Sequence, residues 1–526
     1  MKIRHLFVLL SLLAPLLTQG CIHANEKPNI IIIYGDDIGF GDFSCYGGTG
    51  VDTANVDTLA AEGIRFLSGY ASAATCTPSR YSLLTGEYAF RQKSAKILAG
   101  NAPLIINPNR PTVASFLRDS GYATCLSGKW HLGLGEAGKP LDWNGLIQPG
   151  PKEVGFDESF YMAATADRVP SVYIHNGRIV DLDPADPIEV SYQKQIGDEP
   201  TGISHPELLR FQADQQHAGT IINGISRIGW MTGGQKARFR DEDMADTYLN
   251  HALGFIRDHK DKPFFLYFAP NENHVPRVVH ERFQGSTSLG PRGDALAVFD
   301  WCVGKIVEEL KDTGQYENTL IIISSDNGPV LFDGYWEGAL EENEMHHPAG
   351  PWRGGKYSHW EGGTRMPFIV SYPAKIKPGI SDALISQIDL FASFAALIGT
   401  EMPADAGLDS QNVLPALLGQ SEHGRDHLIQ QALNQVAVRK GNWKYIPPGL
   451  ITDRRGIGTW NKEVGWERTK VEEPGLLFHL SEDPQELNNL ADRYPGRVAE
   501  MRKLIMQVAP DKIKGATQTD KNQLGF

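Results

Sequence analysis

Short apolar runs, each closed by a polar or glycine-rich turn, punctuate the chain at wide intervals. Asn29 to Tyr34 runs into Gly35-Asp36-Asp37, Tyr122 to Leu126 into Ser127-Gly128-Lys129-Trp130-His131, and Phe264 to Ala269 into Pro270-Asn271-Glu272-Asn273-His274. Thr319 to Ser324 runs into Ser325-Asp326-Asn327-Gly328, and a fifth run, Phe368 to Ser371, follows a glycine-rich loop. Continuous apolar stretches of this length read as strands buried on both faces. Helical periodicity fills the gaps, over Asn55 to Glu62, Ser79 to Thr85, Thr112 to Ser120, Asp241 to Asp258 and Ala295 to Thr313. The alternation predicts an α/β fold with a large, mostly parallel sheet between two helical layers. Ligands in such sheets bind beyond the carboxyl ends of the strands, and four of the five runs deliver charged, imidazole or amide groups there.

From about Asp426 the texture changes to shorter alternating strands, Ala437 to Arg439, Trp443 to Ile446 and Leu476 to Leu480, then a helix from Arg497 to Met506. This predicts a small α+β subdomain with a short antiparallel sheet over 426–526, after a catalytic domain at 25–425. Residues 175–235, rich in Asp, Gly and Pro, read as long loops suited to a substrate-facing insertion.

At the amino end, Lys2 and Arg4 precede an apolar run from Leu6 to Leu17 and then small and polar residues. This is the pattern of a secretory signal over 1–24, too short to span a bilayer. Two exits are open: cleavage after Ala24, or cleavage after Gly20 with Cys21 lipidated. Either predicts export, to the periplasm, to the outer membrane through a lipid anchor, or out of the cell. No later stretch has the length of a transmembrane segment.

Composition narrows the classes further. With 50 Lys+Arg against 63 Asp+Glu the net charge is −13, which argues against a nucleic-acid partner. At 41% hydrophobic residues, with 55 Gly and 32 Pro, the chain is neither disordered nor low in complexity. Its five cysteines are too widely spaced for a disulfide framework. Cys125 and Cys302 sit in apolar surroundings and read as core, whereas Cys76 lies in a polar, turn-like setting.

Asp36-Asp37 and Asp326-Asn327 each follow a buried run, so the two pairs can meet at one sheet edge. Three carboxylates and an amide oxygen suit a hard cation, Ca²⁺ more than Mg²⁺. One such pair alone would be read as a turn or helix cap. In Ala74-Thr75-Cys76-Thr77-Pro78-Ser79-Arg80, Pro78 fits the first turn of a helix, which places Cys76 just ahead of a helix N-terminus that favours anions. The residues read as an activated nucleophile beside an anion site. The bland alternative is a buried thiol.

Cys76-Thr77-Pro78-Ser79-Arg80 with Leu84-Thr85-Gly86 resembles the signature of the formylglycine-dependent type I sulfatases, of arylsulfatase-like type. Glu87 departs from the Arg common there, at the edge of the motif. Asn29 to Gly48, Gly128 to Gly133, Asn271 to Pro276, Ser325 to Pro329 and Arg353 to Pro367 resemble further sulfatase blocks in family order.

The resemblance implies an alkaline phosphatase-like fold and hydrolysis of sulfate monoesters. It implies that Cys76 is converted to formylglycine, whose hydrate attacks sulfur, by a formylglycine-generating or anaerobic sulfatase-maturing enzyme. Asp36, Asp37, Asp326 and Asn327 would hold Ca²⁺ with the converted Cys76. Lys129 and His131 would touch the aldehyde hydrate, Arg80 would neutralise charge near it, and His274 and Lys356 would face the ester and its leaving oxygen. The expected proton traffic runs from one hydrate hydroxyl to Asp326, from His274 to the leaving group, and from the second hydroxyl to His131.

Ala166 to Pro170 and Asp333 to Pro351 resemble a bacterial subgroup of galactose or N-acetylgalactosamine sulfatases. Exo-desulfation of a sulfated carbohydrate is the implied activity. Asp167 and Arg168 are candidate contacts to sugar hydroxyls, with a surface ion pair as the alternative. His346, His347 and His359 flank Lys356 and are candidates for the pocket wall, and Trp336, Trp352 and Trp360 for stacking or plain packing. Rival readings are a phosphate or phosphonate hydrolase on the same scaffold and a secreted glycan-binding protein without catalysis.

Overall fold

The isoleucines of the first run divide between two cores. In the computed structural model, which describes residues 27–513 except 344 and 456–464, Asn29–Gly35 forms strand β1. Ile30, Ile32 and Tyr34 join one apolar cluster and Ile31 and Ile33 another, on opposite faces. Helices α2 (Cys76–Thr85) and α3 (Val113–Asp119) cover the first face with Leu83, Leu84, Val113 and Leu117. Helices α1 (Ala54–Glu62), α4 (Met244–Asp258) and α5 (Gly290–Asp312) cover the second with Val56, Leu249, Phe299 and Val303. A wholly buried strand leaves no place for polar alternation, which is why the run is continuous. Truncating Ile32 to Ala would cost about 2–5 kcal/mol.

The main sheet has ten strands. In chain order they are β1, β2 (Ile64–Phe66), β3 (Ala123–Lys129), β4 (Glu158–Met162), β5 (Ile174–His175), β6 (Arg178–Ile179), β7 (Phe264–Ala269), β8 (Thr319–Ser325), β9 (Phe368–Ser371) and β10 (Gly379–Ser381). In space they run β10-β2-β9-β8-β1-β7-β3-β4-β5-β6. The five from β8 to β4 are mutually parallel, as the alternation of runs and helices predicts. The fifth run, β9, is antiparallel to β8, with Ile323 opposite Ile369. Its beginning therefore lies at the carboxyl edge, and the glycine-rich loop before it arrives where the other runs end.

Residues 175–235 fold into short paired strands instead of plain loops. Ile221–Ile222 pairs with Ile225–Ser226, Glu189–Ser191 with Trp230–Thr232, and Gln212–Ala213 with Tyr335–Trp336. In the C-terminal part, β11 (His427–Ala432), β12 (Gln435–Lys440), β13 (Trp443–Ile446) and β14 (Leu476–His479) make an antiparallel sheet with the helix Pro495–Val508 against it. That sheet shares a core with the rest of the chain, since Leu428, Val436 and Tyr445 cluster with Tyr70, Tyr88 and Ile388. No helix among the described residues is long and apolar enough to cross a membrane. The signal segment and Cys21 lie outside the described residues.

Candidate active site

Strands β1 and β8 are parallel neighbours with Gly35 opposite Ser325, so their two polar pairs leave the sheet side by side. Asp37 turns with φ +60°. Its N–H donates to Asp326 Oδ1 at 3.2 Å, and its Oδ1 accepts from Asn327 Nδ2 at 2.7 Å. Arg80, reaching in from α2, grips Asp326 Oδ2 through Nε at 3.0 Å and Nη2 at 2.8 Å. Lys129, the last residue of β3, holds Asp36 at 2.5 Å. Lys356, from the loop before β9, meets Asp37 at 2.8 Å and Asp333 at 3.0 Å. All of these side chains except Asp333 are essentially without solvent contact. Three cations thus stand among the three predicted carboxylates and Asp333, in a medium where each interaction is strong.

Within this charged cluster two oxygens lack partners. Asp36 Oδ1 and Asn327 Oδ1 are buried with no hydrogen-bond donor, and donor atoms of Asp36, Asp37 and His274 lie within 4.8 Å of one another. Burial, then the neighbouring Asp326 carboxylate, pushes Asp36 up to about 8 despite Lys129 and Arg80. An uncompensated buried carboxylate is costly, and orphaned oxygens of this kind fit a hard divalent cation. A bound ion would supply the missing positive charge and hold Asp36 ionised.

Helix α2 begins at Cys76 itself, one turn earlier than the periodicity from Ser79 suggests, with Thr75 extended and Pro78 in the first turn. It stops at Gly86, whose φ of +66° lets its N–H cap the Ser82 carbonyl at 2.9 Å. The approach to Cys76 is clasped from two sides. Gln431 of β11 donates to the Ser72 carbonyl at 2.9 Å and accepts from Ala74 N–H at 2.8 Å, while Tyr357 N–H donates to the Ala74 carbonyl at 2.7 Å. Cys76 is 2% exposed, and burial pushes its thiol up, only partly opposed by Lys129 and Lys356.

His131 and His274 are fixed as opposite tautomers. His131 Nε2 lies 3.0 Å from the Leu98 carbonyl, which only accepts, so Nε2 carries the proton and the buried Nδ1, which has no partner, keeps its lone pair. In His274, Nδ1 lies 2.7 Å from the Val275 carbonyl, so Nδ1 is protonated and Nε2 stands 3.8 Å from Asp37 Oδ2. Burial first, then lysine charge, holds both rings well below the ordinary imidazole range. Both are neutral bases at rest.

A cleft opens over these groups, lined among others by Cys76, Asp167, Arg168, His217, His274 and Lys356. Asp167 and Arg168 do form an ion pair, at 2.8 Å, with Asp167 buried and Arg168 mostly so, on the cleft wall and not on the outer surface. His217 is equally buried, 2.6 Å from Asp214 and 3.4 Å from Asp167, and those carboxylates raise its pKa against the pull of burial. The insertion thus reaches the cleft, as its composition predicts, through a residue that no motif flags. Asp333 and Tyr357 also line it, with the Tyr357 hydroxyl 3.0 Å from Asp333 Oδ2.

Other candidates lie elsewhere. His359 is buried and not among the residues lining the cleft, and burial, then the charge of Lys444, lowers its pKa to about 3. His346 bonds Asp42 at 2.8 Å beside Arg292, a structural cluster. The Trp352 and Trp360 rings are covered by the guanidinium groups of Arg365 and Arg353, at 3.7 and 3.6 Å, and so are packing residues. Trp336 is 47% exposed and packs on Phe332.

A parallel sheet whose carboxyl edge gathers acids, lysines and a signature cysteine under one cleft defines a hydrolase of charged monoesters. The sulfatase family profile matches residues 28–400, and the chain belongs to the sulfatase family, as a sulfuric ester hydrolase. It is 49% identical over 486 residues to an N-acetylgalactosamine-6-O-sulfatase of Bacteroides thetaiotaomicron, covering 92% of this chain and 93% of that one. Human arylsulfatase A is 30% identical over 500 residues, covering 92% and 87%. A solved B. thetaiotaomicron sulfatase from work on glycosaminoglycan metabolism superposes with a TM-score of 0.87 at 49% identity, over 92% of this chain and 99% of that one. A phosphonate monoester hydrolase of Agrobacterium radiobacter, at 16% identity and TM-score 0.55, shares the fold alone. Sulfatases generally employ formylglycine and a divalent metal, and the orphaned oxygens above fit the second.

Proposed function

We propose that the protein removes the 6-O-sulfate from a terminal N-acetylgalactosamine or galactose residue of a sulfated saccharide, with Cys76 converted to formylglycine by a separate maturation enzyme. The observation that carries this reading is the signature helix starting at Cys76 in one cleft with Asp167, Arg168 and His274. The 49% identical relative supports the sugar and the position.

Asp36, Asp37, Asp326 and Asn327 would hold Ca²⁺ with residue 76. When present, the ion supplies positive charge beside the sulfate, and the formylglycine hydrate supplies the nucleophile. The remaining steps belong to the chain's own side chains. Arg80 fixes Asp326, which accepts a proton from the hydrate. Lys129 and Lys356 add preorganised positive charge around the ester oxygens. His274 Nε2 faces the leaving oxygen; the anionic ester beside it raises its basicity, so that it can take up and then deliver a proton. His131 Nδ1, an unpartnered lone pair, would serve as the base for the second half-reaction. Asp167 and Arg168 would bind sugar hydroxyls.

The segment 1–24 is read as an export signal and Cys21 as an alternative lipid anchor, with 25–425 as the catalytic domain and 426–526 as the C-terminal subdomain. The deciding experiment measures sulfate release by matured protein from 6-O- and 4-O-sulfated N-acetylgalactosamine, 6-O-sulfated galactose and matched phosphate esters, before and after chelation. The 6-O-sulfated sugars should lead, and the peptide mass of active protein should show residue 76 as the aldehyde. Turnover of phosphate esters alone, or full activity with an intact thiol, overturns the proposal.

A further inference from the structure

Glu158, His175 and His251 converge at the other end of the sheet from the cleft. Glu158 opens β4 at its amino-terminal edge, His175 ends β5, and His251 lies in the middle of α4. One ligand atom of each lies within 4.8 Å of the others. The imidazoles are clamped by a common neighbour: Phe160 stacks on His251 at 5.2 Å and tilts against His175 at 5.9 Å, and the two imidazoles meet edge-on at 5.6 Å. One exposed and one largely buried ring are thus held in one orientation by packing.

The polar geometry points to a shared ion. His251 Nε2 is 2.8 Å from Glu158 Oε1, yet it is buried without a hydrogen-bond partner, because the oxygen lies off the direction in which a ring N–H donates. The opposite nitrogen, Nδ1, contacts the buried Cys125 sulfur at 3.9 Å. If Nδ1–H donates to sulfur, Nε2 presents its lone pair toward the carboxylate, where two acceptors face each other. A cation between them resolves that, and the contact of the far nitrogen is how metal-bound imidazoles are oriented. Among the described residues, Glu158 has no Lys or Arg at ion-pair distance. His175 Nε2 lies 3.2 Å from the exposed Asn176 amide.

We propose that Glu158, His175 and His251 form a second metal site, one for zinc, with solvent in the fourth position. Two imidazoles and one carboxylate are the donors zinc prefers, whereas calcium needs more oxygens than are present. The site would pin α4 to β4 and β5, at the root of the insertion that carries His217 to the cleft.

The test uses the full-length matured protein, stripped of transition metals and kept in excess Ca²⁺ so that the catalytic ligands are occupied. Zn²⁺ is titrated against a chromophoric chelator, and crystals grown with Zn²⁺ are measured across its absorption edge. One equivalent should bind, with an anomalous peak among the three side chains and a raised melting temperature. His175→Gln, at an exposed position that leaves the fold intact, should weaken Zn²⁺ binding by more than about tenfold and abolish the melting shift. Equal Zn²⁺ binding by wild type and His175→Gln, or an anomalous peak absent from the trio, overturns the proposal.

Discussion

Arg168 separates sugar recognition from chemistry. Its partner Asp167 retains His217 when the guanidinium is removed, so Arg168→Ala should fold. For a 6-O-sulfated sugar its kcat/KM should fall by about 10- to 100-fold, the cost of unpaired polar groups in the cleft, while a small aryl sulfate without sugar hydroxyls loses less than about threefold. Steady-state kinetics on the two substrates checks it; equal losses would make Arg168 part of the general charge environment. Asp42 gives a stability prediction of known sign. Burial would raise its carboxyl, but Arg292 and the His346 hydrogen bond outweigh this and hold it at about 2, below the ordinary ~3.9. The stabilisation, about 2 kcal/mol, is therefore complete above roughly pH 4 and lost as pH falls from about 4 to about 2. Asp42→Asn should be about 3–5 kcal/mol less stable at pH 7, because Arg292 is left buried and unpaired, and its urea midpoint should fall less than wild type between pH 4.5 and 2.5.

Among elements, the loop before β9 is the one whose placement decides the site. It lies on Gly328, where an added Cβ would stand 1.8 Å from the Gly362 carbonyl oxygen; Gly328 N–H bonds Gly363 O at 3.0 Å and Lys356 N–H bonds Pro329 O at 3.0 Å. Gly328→Ala must push this loop away and move the Lys356 ammonium by about an ångström. A misplacement of that size costs roughly 10²-fold in kcat. The circular dichroism spectrum should be unchanged, and a variant with near-native kcat would show that the loop adapts without moving Lys356.

For the molecule as a whole, metal removal is the global test. An ion bound only by the native state stabilises by about 2.7 kcal/mol at a hundred times its Kd. Chelation should lower the melting temperature and abolish sulfate release together, and added Ca²⁺ should restore both. How far this architecture was legible follows from what each residue must satisfy locally. Asp36, Asp37, Asp326, Asn327 and Lys129 could be read because they close buried apolar runs, and Cys76 because its motif is specific. His217 could not, since Gln215-Gln216-His217 has no periodicity and acquires its role only through Asp214 and Asp167. Strand β11 is not legible in the sequence because Gln430 and Gln431 interrupt its apolar pattern. Both are buried in the fold, with Gln430 bonded to Thr364 at 2.7 Å and Gln431 to the Leu433 carbonyl at 3.1 Å. The direction of β9 is likewise a tertiary fact, invisible in a four-residue apolar run.

The clasp of Gln431 on Ser72 and Ala74 joins positions separated by more than 350 residues. During synthesis, a nascent chain ending before β11 already contains every acid and base of the site but lacks this last hydrogen-bonded restraint. The stretch leading into Cys76 gains that restraint only when the final fifth of the polypeptide emerges from the ribosome. The support of the signature helix is thereby completed last, by the most distant part of the chain.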